Sequence, residues 1–220
     1  MDKLRIATWN LEDKKFRLKR NNTRMEIINE VLNEDVDVLA LQNADKKFIT
    51  YLDEKLLNSN YHLERENPSM GIMCGMMNND QNIMIIKNNY TNTGDRLTTD
   101  GLAISVNQLK DKDDFSKNFY LLNANIDNVD DSYNILRELV YYVKTNKYVN
   151  EQIILAGHLN INIDNIRKLN RNVLRPNSLT RRIYEKDEYF FFDEKNDTFG
   201  KKIFDVPTGM HNPMILSLKK

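Results

Sequence analysis

The sequence predicts an α/β protein of the α+β type, in which two packed mixed β-sheets are flanked by helices in a four-layer α/β/β/α sandwich. Two observations support this fold class. Apolar segments with strand character alternate with helical patterns near the start of the chain, whereas the strands in its middle follow one another without long helices between them. Mixed connections of this kind are typical of two packed sheets rather than of one doubly wound parallel sheet.

The N-terminal part of the chain alternates strands with amphipathic helices. Residues 4–9 and 36–41 are short apolar segments, which we predict to be strands. Apolar side chains recur at helical spacing over residues 23–34 and again over residues 48–56. Each of these two segments is therefore predicted to be a helix with one buried face.

The remainder of the chain is richer in strands. Apolar segments without long helices between them predict antiparallel hairpins at residues 61–63, 83–86, 102–106 and 119–122. A strong helical stripe covers residues 135–143. The strands predicted after it lie at residues 153–156, 189–192, 203–206 and 214–218.

Composition excludes several classes of protein. The 220 residues, predicted to form one domain over residues 1–220, include 32 basic and 32 acidic side chains, which argues against a polybasic histone-like protein or an acidic solvating tail. No apolar run approaches the roughly 20 residues that cross a bilayer, and no apolar targeting segment follows Met1, so we expect a cytoplasmic protein. The single cysteine, Cys74, excludes an intrachain disulfide and a multi-cysteine zinc site.

Several predicted strands end in polar residues, and their order along the chain is informative. These ends read Trp9-Asn10, Leu41-Gln42-Asn43, Asn123-Ala124-Asn125, Gly157-His158-Leu159-Asn160 and Met210-His211-Asn212-Pro213. In this order they resemble the endonuclease/exonuclease/phosphatase superfamily of metal-dependent phosphodiesterases over nearly the whole chain. The resemblance implies two packed sheets flanked by helices, with a cleft in which a divalent cation, usually Mg²⁺, assists phosphodiester hydrolysis.

The resemblance also implies which residues stand at the catalytic positions, and the acidic ones are missing. The family's glutamate ligand falls at Asn43, its aspartate general base at His158, and the aspartate before the final histidine at Met210. Its middle histidine falls at Asn125. An amide brings no charge to a cation and a thioether is a poor ligand for a hard ion. We therefore assign no metal ligand and regard Asn43 as a degenerate position.

Part of the family's site is retained. By the resemblance, Asn10, Asn160 and His211 serve the phosphate, and Glu188 is placed to orient His211. With three carboxylates lost, hydrolysis by the family's mechanism is expected to be absent or severely impaired. We predict a pseudoenzyme that binds a protein partner or a phosphate-bearing ligand and needs no cofactor. Because 31 residues are asparagine, a match at any single asparagine can also arise by compositional drift.

A first alternative is an active enzyme with an altered site. It would be an Mg²⁺- or Mn²⁺-dependent phosphodiesterase whose catalytic residues are His158, His211, Asn160 and Glu188, with His158 replacing the lost base. In a variant of this hypothesis, His158 and His211 bind a softer metal such as Zn²⁺, with Asp127 as a candidate third ligand.

A second alternative is a nucleic-acid-binding module. Residues 14–24 and residues 167–182 each contain six basic and no acidic side chains, and by the resemblance both segments follow strands whose ends line the cleft. Arg171 and Arg175 in the second segment are therefore candidate phosphate-binding residues. The simpler interpretation is that both segments are solvated surfaces balanced by acidic residues elsewhere.

Overall fold

The computed structural model describes residues 3–12, 21–65, 81–93, 103–114, 118–125, 152–158, 172–174, 188–192, 198–204, 206 and 211–219. Within these residues, strands form two six-stranded sheets, and two helices pack on one of them. This architecture confirms the predicted pair of packed mixed sheets with flanking helices.

The first sheet is built from the two ends of the chain. It consists of β1 (Lys3–Asn10), β2 (Val38–Ala44), β3 (Tyr61–Arg65), β4 (Gln81–Lys87), β11 (Thr198–Ile203) and β12 (Met214–Lys219). The order across it is β11-β12-β1-β2-β4-β3. Strands β1 and β2 are parallel, and the other neighbouring pairs are antiparallel.

The second sheet repeats this pattern with residues from the middle of the chain. It consists of β5 (Tyr90–Asn92), β6 (Ala103–Asp111), β7 (Phe119–Asn125), β8 (Gln152–His158), β9 (Asn172–Leu174) and β10 (Glu188–Phe192). The order across it is β5-β6-β7-β8-β10-β9, and β7 and β8 form its parallel pair. Each sheet therefore has a parallel central pair flanked by antiparallel strands.

The two described helices are α1 (Asn21–Asn33) and α2 (Lys46–Leu56). Asp45 caps α2, because its carboxylate accepts a hydrogen bond from the main-chain N–H of Phe48 at 2.9 Å. The buried faces of both helices pack on the outer face of the first sheet, where Trp9 contributes the largest side chain. Neither described helix is long and apolar enough to cross a membrane.

The side chains of β1 alternate between two apolar layers, and this alternation determines which polar residues lie between the sheets. On β1, Leu4 and Ile6 belong to the core between the sheets, whereas Ala7 and Trp9 belong to the core beneath the helices. Successive side chains of a strand point to opposite faces. The next residues on the inter-sheet side of β1 are Thr8 and Asn10, both fully buried, so the inter-sheet layer becomes polar toward the carboxyl end of this strand.

The structure changes several predicted boundaries. The strand predicted at residues 203–206 was wrong, because β11 lies at Thr198–Ile203. Among the described strands it pairs only with β12, and as an edge strand it lacks a continuous apolar run. Strands β5 and β9 were not predicted, since three residues are too few to show a period. The helix predicted over residues 135–143 lies outside the described residues.

Asp37 gives a pH-dependent contribution to stability that can be measured. Its carboxylate accepts a hydrogen bond from Arg5 N at 2.8 Å, and Lys87 Nζ lies 3.4 Å from Oδ1. Burial raises the pKa of Asp37 by more than the Arg5 amide and the Lys87 charge lower it. The folded state therefore holds this proton more tightly than the unfolded chain. Asp37 stabilises the fold at low pH, and this contribution is lost as the pH rises through the folded-state pKa.

Replacing this carboxyl by an amide in Asp37→Asn is expected to remove that part of the pH dependence. Urea unfolding measured from acidic to neutral pH should show a flatter decline in the free energy of unfolding for the variant than for the wild type. Asp113→Asn, a change at an exposed residue, is the control and should keep the wild-type slope. An unchanged slope in Asp37→Asn contradicts the assignment.

Candidate functional site

The candidate site lies where the carboxyl ends of the central strands of both sheets meet. Its inner layer is fully buried and consists of Thr8 on β1, Gln42 on β2 and Asn123 on β7. Gln42 Nε2 lies 2.7 Å from Asn123 Oδ1 and 3.1 Å from Thr8 Oγ1. Asn123 Nδ2 in turn donates to the main-chain oxygen of Ile83 on β4 at 3.2 Å. This inner layer therefore links the two sheets through hydrogen bonds between neutral groups.

The outer layer is a cluster of three asparagines, Asn10, Asn43 and Asn125, which we call the amide cluster. Asn43 Nδ2 donates to Asn10 Oδ1 at 2.8 Å and lies 3.4 Å from Asn125 Oδ1. Asn125 Nδ2 donates back to Asn43 Oδ1 at 2.7 Å. Asn43 adopts a left-handed backbone conformation with φ of 57°, which asparagine tolerates better than most residues.

The amide cluster has a direct electrostatic consequence. A carboxylate can only accept hydrogen bonds, so at the position of Asn43 it would place oxygen against the oxygens of Asn10 and Asn125 and would need a cation between them. The Asn43 amide instead donates to the Asn10 oxygen. The three side chains are thus joined by hydrogen bonds between neutral groups, and the cluster carries no charge.

His158 and His211 lie together in the same region. His158 is the last residue of β8 and is fully buried, and His211 precedes β12 with 8% of its surface exposed. Their ring centroids are 5.6 Å apart, with an angle of 75° between the ring planes. The structure therefore places in contact two of the candidate catalytic residues.

The chain segments that carry the two histidines are both fixed. Gly157 has a φ of +135°, and a Cβ built on it would lie 2.0 Å from the main-chain oxygen of Ala124, so only glycine allows β8 to approach β7 this closely. The segment that carries His211 is fixed by Trp9, whose indole Nε1 donates to the main-chain oxygen of His211 at 2.7 Å. Pro213 is held by a bond from Phe204 N to its oxygen.

Trp9→Phe tests the second of these anchors. The change keeps an aromatic ring in the core but leaves the buried oxygen of His211 without its donor, so we expect the free energy of unfolding to fall by about 1–3 kcal/mol. It should also shift the NMR signals of the His211 imidazole.

The control is Tyr61→Phe, which removes hydrogen bonds from a hydroxyl to the main-chain oxygens of Leu32 and Val36, away from the site. It should lower stability without moving the signals of His211. Equal His211 shifts in the two variants would contradict a positioning role for Trp9.

Of the other predicted site residues, the structure describes only Glu188. Glu188 begins β10 and pairs through its backbone with His158 rather than with the segment of His211. Asn160, Arg171 and Arg175 lie outside the described residues, as do Met210 and Asp127. The roles predicted for these residues therefore stay predictions.

Of the basic segment at residues 14–24, the structure describes residues 21–24, and Arg24 has a structural role. Its guanidinium donates to the main-chain oxygen of Leu11 at 2.8 Å and lies 3.3 Å from a carboxylate oxygen of Asp45. The same group stacks over the ring of Phe48. Arg24 therefore links α1 to the start of α2.

Glu12 is a residue that sequence reasoning missed. Its main-chain N–H donates to Asn10 Oδ1 at 2.9 Å, which places its backbone beside the amide cluster. Its Oε2 atom is buried and has no hydrogen-bond partner among the residues that the structure describes. The sequence signal that could have identified it is its position, since it is an acidic residue two positions after Asn10. A buried carboxylate oxygen that accepts no hydrogen bond attracts a cation or a hydrogen-bond donor.

The described residues do not fit the magnesium set that the resemblance implies. No group of three or more histidine, cysteine or acidic side chains within the described ranges is arranged to hold a metal. Mg²⁺ requires near-octahedral oxygen ligands including carboxylates. Here Asn43, at the position of the family's glutamate ligand, directs a donor at the oxygen of Asn10.

Comparison with known proteins identifies the fold. No family model and no curated protein match the sequence. The structure of D. rerio TDP2 complexed with single-stranded DNA product matches over 100% of both chains, with a TM-score of 0.71 and 11% identity. An endonuclease/exonuclease/phosphatase from Bacteroides vulgatus matches over 100% of this chain and 99% of that chain, with a TM-score of 0.73 and 14% identity.

A further match is the human Nocturnin catalytic domain with bound sulfate anion. It covers 99% of this chain and 93% of that chain, with a TM-score of 0.67 and 15% identity. At these identities the similarity concerns the arrangement of the backbone. The chain therefore has the fold of the endonuclease/exonuclease/phosphatase proteins, as its sequence predicts.

Proposed function

We propose that this protein is a catalytically degenerate protein of the endonuclease/exonuclease/phosphatase fold, which binds a phosphate-bearing ligand in its cleft without hydrolysing it. The observation that carries the proposal is the direction of one hydrogen bond. At the position of the family's glutamate ligand, Asn43 donates to the oxygen of Asn10 at 2.8 Å. A side chain in this role adds no negative charge and competes with a cation for the same oxygen.

The chemistry of the strand ends supports a phosphate-bearing ligand. Amide N–H groups and imidazoles are neutral or cationic donors to phosphate oxygens, and the amide cluster and the histidine pair lie on neighbouring strands. Two proteins of the same fold bind related groups in their structures: D. rerio TDP2 a single-stranded DNA product, and human Nocturnin a sulfate anion. Single-stranded nucleic acid is therefore our first ligand to test.

The decisive experiment combines binding with turnover. Fluorescence anisotropy of a labelled single-stranded DNA oligonucleotide, measured in EDTA at increasing salt, reports binding. Gel assays of DNA and RNA and hydrolysis of a nitrophenyl phosphodiester, each with Mg²⁺ or Mn²⁺, report turnover. We expect salt-sensitive binding and no cleavage.

The variants separate the site from the rest of the surface. His211→Ala should weaken binding, and His62→Ala, at a half-exposed histidine on β3 that bonds Asn88, is the matched control and should not. Arg171→Ala combined with Arg175→Ala should reduce the salt dependence if these residues contact phosphates. Metal-dependent cleavage that is lost in His158→Ala would overturn the proposal. Binding only to a protein partner, with no affinity for DNA or RNA, would exclude the phosphate ligand.

A second candidate is an active phosphodiesterase with an altered site. The contact of His158 with His211 and the buried oxygen of Glu12 favour it, because an imidazole is a competent general base and a carboxylate can receive a cation. It predicts turnover with Mg²⁺ or Mn²⁺ that is lost in His158→Ala and in Glu12→Gln but retained in His62→Ala. Absence of turnover under all these conditions removes it.

A further inference from the structure

The third histidine of the chain lies at one edge of the first sheet, on the side that faces the second sheet. His62 and Glu64 are two residues apart on β3, so their side chains share one face of the strand. Their partners across β4 are Ile86 and Met84, which belong to the core between the sheets. Residues that pair directly across two strands share a face. The imidazole and the Glu64 carboxylate therefore lie on the inter-sheet side of β3.

Both ring nitrogens of His62 face oxygen atoms that accept hydrogen bonds. Nδ1 lies 3.0 Å from Oδ1 of Asn88, and Nε2 lies 3.6 Å from Oε1 of Glu64. The direction of the Asn88 amide is fixed, because its Nδ2 donates to the main-chain oxygen of Ser59 at 3.1 Å. A neutral imidazole has one N–H and one acceptor nitrogen, so each of its two tautomers sets an acceptor against an acceptor here. Only the protonated ring donates in both directions.

Asn88 connects the histidine to two further parts of the structure. Its main-chain N–H donates to the oxygen of Asn60, just before β3, at 2.9 Å. Its main-chain oxygen accepts a hydrogen bond from Nζ of Lys112 at 2.7 Å, and Lys112 lies between β6 and β7 of the second sheet. We call His62, Glu64, Asn88 and Lys112 the histidine clasp. Its contacts connect the edge strand β3 to the second sheet.

The charged groups of the clasp act on the proton of His62 in opposite directions. The interaction with Glu64 raises the pKa of His62 most, and the bond to Asn88 adds to this effect. Burial and the cation of Lys112 lower the pKa by less, so the folded state binds the proton more tightly than the unfolded chain does. The contribution of the clasp to stability is therefore complete at acidic pH and is lost as the pH rises through the folded-state pKa.

We infer that the histidine clasp is a pH-sensitive device, which holds β3 to the second sheet while His62 is protonated and lets β3 open more readily once His62 is neutral. This inference does not depend on the proposed function, because the clasp and the amide cluster lie toward opposite ends of the strands. The residue opposite His62 is Ile86, which pairs with Val38 at the start of β2. Asn43 of the amide cluster lies near the end of β2.

The wild-type protein provides the first test without any substitution. NMR titration of the imidazoles measures the pKa of His62. Hydrogen exchange at pH about 5 and about 8, corrected for the intrinsic rates, measures the protection of the main-chain amides of β3 relative to those of β2. We expect His62 to titrate above its ordinary value of 6.5. The relative protection of β3 should fall about two- to fivefold between the two pH values, as a partly exposed ion pair permits.

Substitutions then separate the clasp from a general effect of pH. Glu64→Gln keeps an acceptor oxygen but removes the charge, so it should lower the pKa of His62, whereas Lys112→Gln removes the opposing cation and should raise it. Glu30→Gln, at an exposed glutamate of α1, is the matched control for Glu64→Gln and should leave this pKa unchanged. In His62→Gln, which has no group that titrates, the relative protection of β3 should no longer change with pH.

Three results would overturn the inference. They are a pKa of His62 at or below 6.5 in the wild type, equal relative protection of β3 at the two pH values, and an unchanged pH dependence of that protection in His62→Gln. Circular dichroism checks that each variant is folded, and the measurements on the wild type stand whether or not a variant folds.

Discussion

Gly157→Ala is expected to lower the free energy of unfolding by about 3–5 kcal/mol and to disturb the histidine pair. The added Cβ would lie 2.0 Å from the main-chain oxygen of Ala124, and an alanine would have to adopt a φ of +135°. Because the obstacle is backbone rather than a flexible side chain, relief requires β8 to move away from β7. His158 follows directly on β8 and would move with it.

Urea unfolding measures the stability loss, and the NMR signals of His158 and His211 report the displacement. Ile154→Val on the same strand is the control: it removes one methylene from the buried inter-sheet core, so a loss of about 0.5–1.5 kcal/mol with unchanged histidine signals is expected. If Gly157→Ala lowered the free energy of unfolding no more than Ile154→Val does, the close approach of β8 to β7 would not be required for stability.

Asn43→Asp should have the second largest effect, a loss of about 2–3 kcal/mol at neutral pH. The two side chains have nearly the same shape, but the amide donor that bonds Asn10 is replaced by a carboxylate oxygen. A negative group then faces the side-chain oxygens of Asn10 and Asn125, which are acceptors in the wild type. Acidic pH should restore part of the stability, since a protonated carboxyl can donate.

The same substitution brings oxygens together in the way a hard cation prefers, so millimolar Mg²⁺ should stabilise Asn43→Asp more than it stabilises the wild type. Thermal unfolding with and without Mg²⁺ measures this difference. Asn43→Gly is the matched control, because glycine also accepts a φ of 57° and removes the amide without adding charge. If Mg²⁺ stabilises all three proteins equally, the reversed hydrogen bond is not what excludes the cation.

Much of the fold could be predicted from the sequence because the central strands carry local signals. The apolar runs at β1, β2, β7 and β8 are long enough to be recognised. Of the four edge strands in the described sheets, β5, β9 and β11 could not be predicted in the same way. Strand β11 carries two lysines and β5 has three residues, so their pairing depends on neighbours that are distant in sequence.

Of the candidate site, only the presence of polar residues at the strand ends could be predicted, and the roles assigned to them stay predictions. The polar ends of the strands could be identified from the order of motifs, which directed attention to Asn10, Asn43, Asn125, His158 and His211. Which amide donates to which oxygen depends on the register between the sheets, and no local pattern encodes it. The bond from Trp9 to His211 also depends on tertiary structure, since it follows from the pairing of β1 with β12.

The pairing of β1 with β12 also has a consequence for how the protein is made. Lys3 lies opposite Lys219, and the indole of Trp9 reaches a residue 202 positions later in the chain. Contacts between residues so far apart in sequence slow folding, because the intervening loop must close before they can form. On the ribosome, one edge of β1 therefore stays without its partner until β12 has been synthesised. We expect folding to be slow and the nascent chain to depend on chaperones that cover this edge.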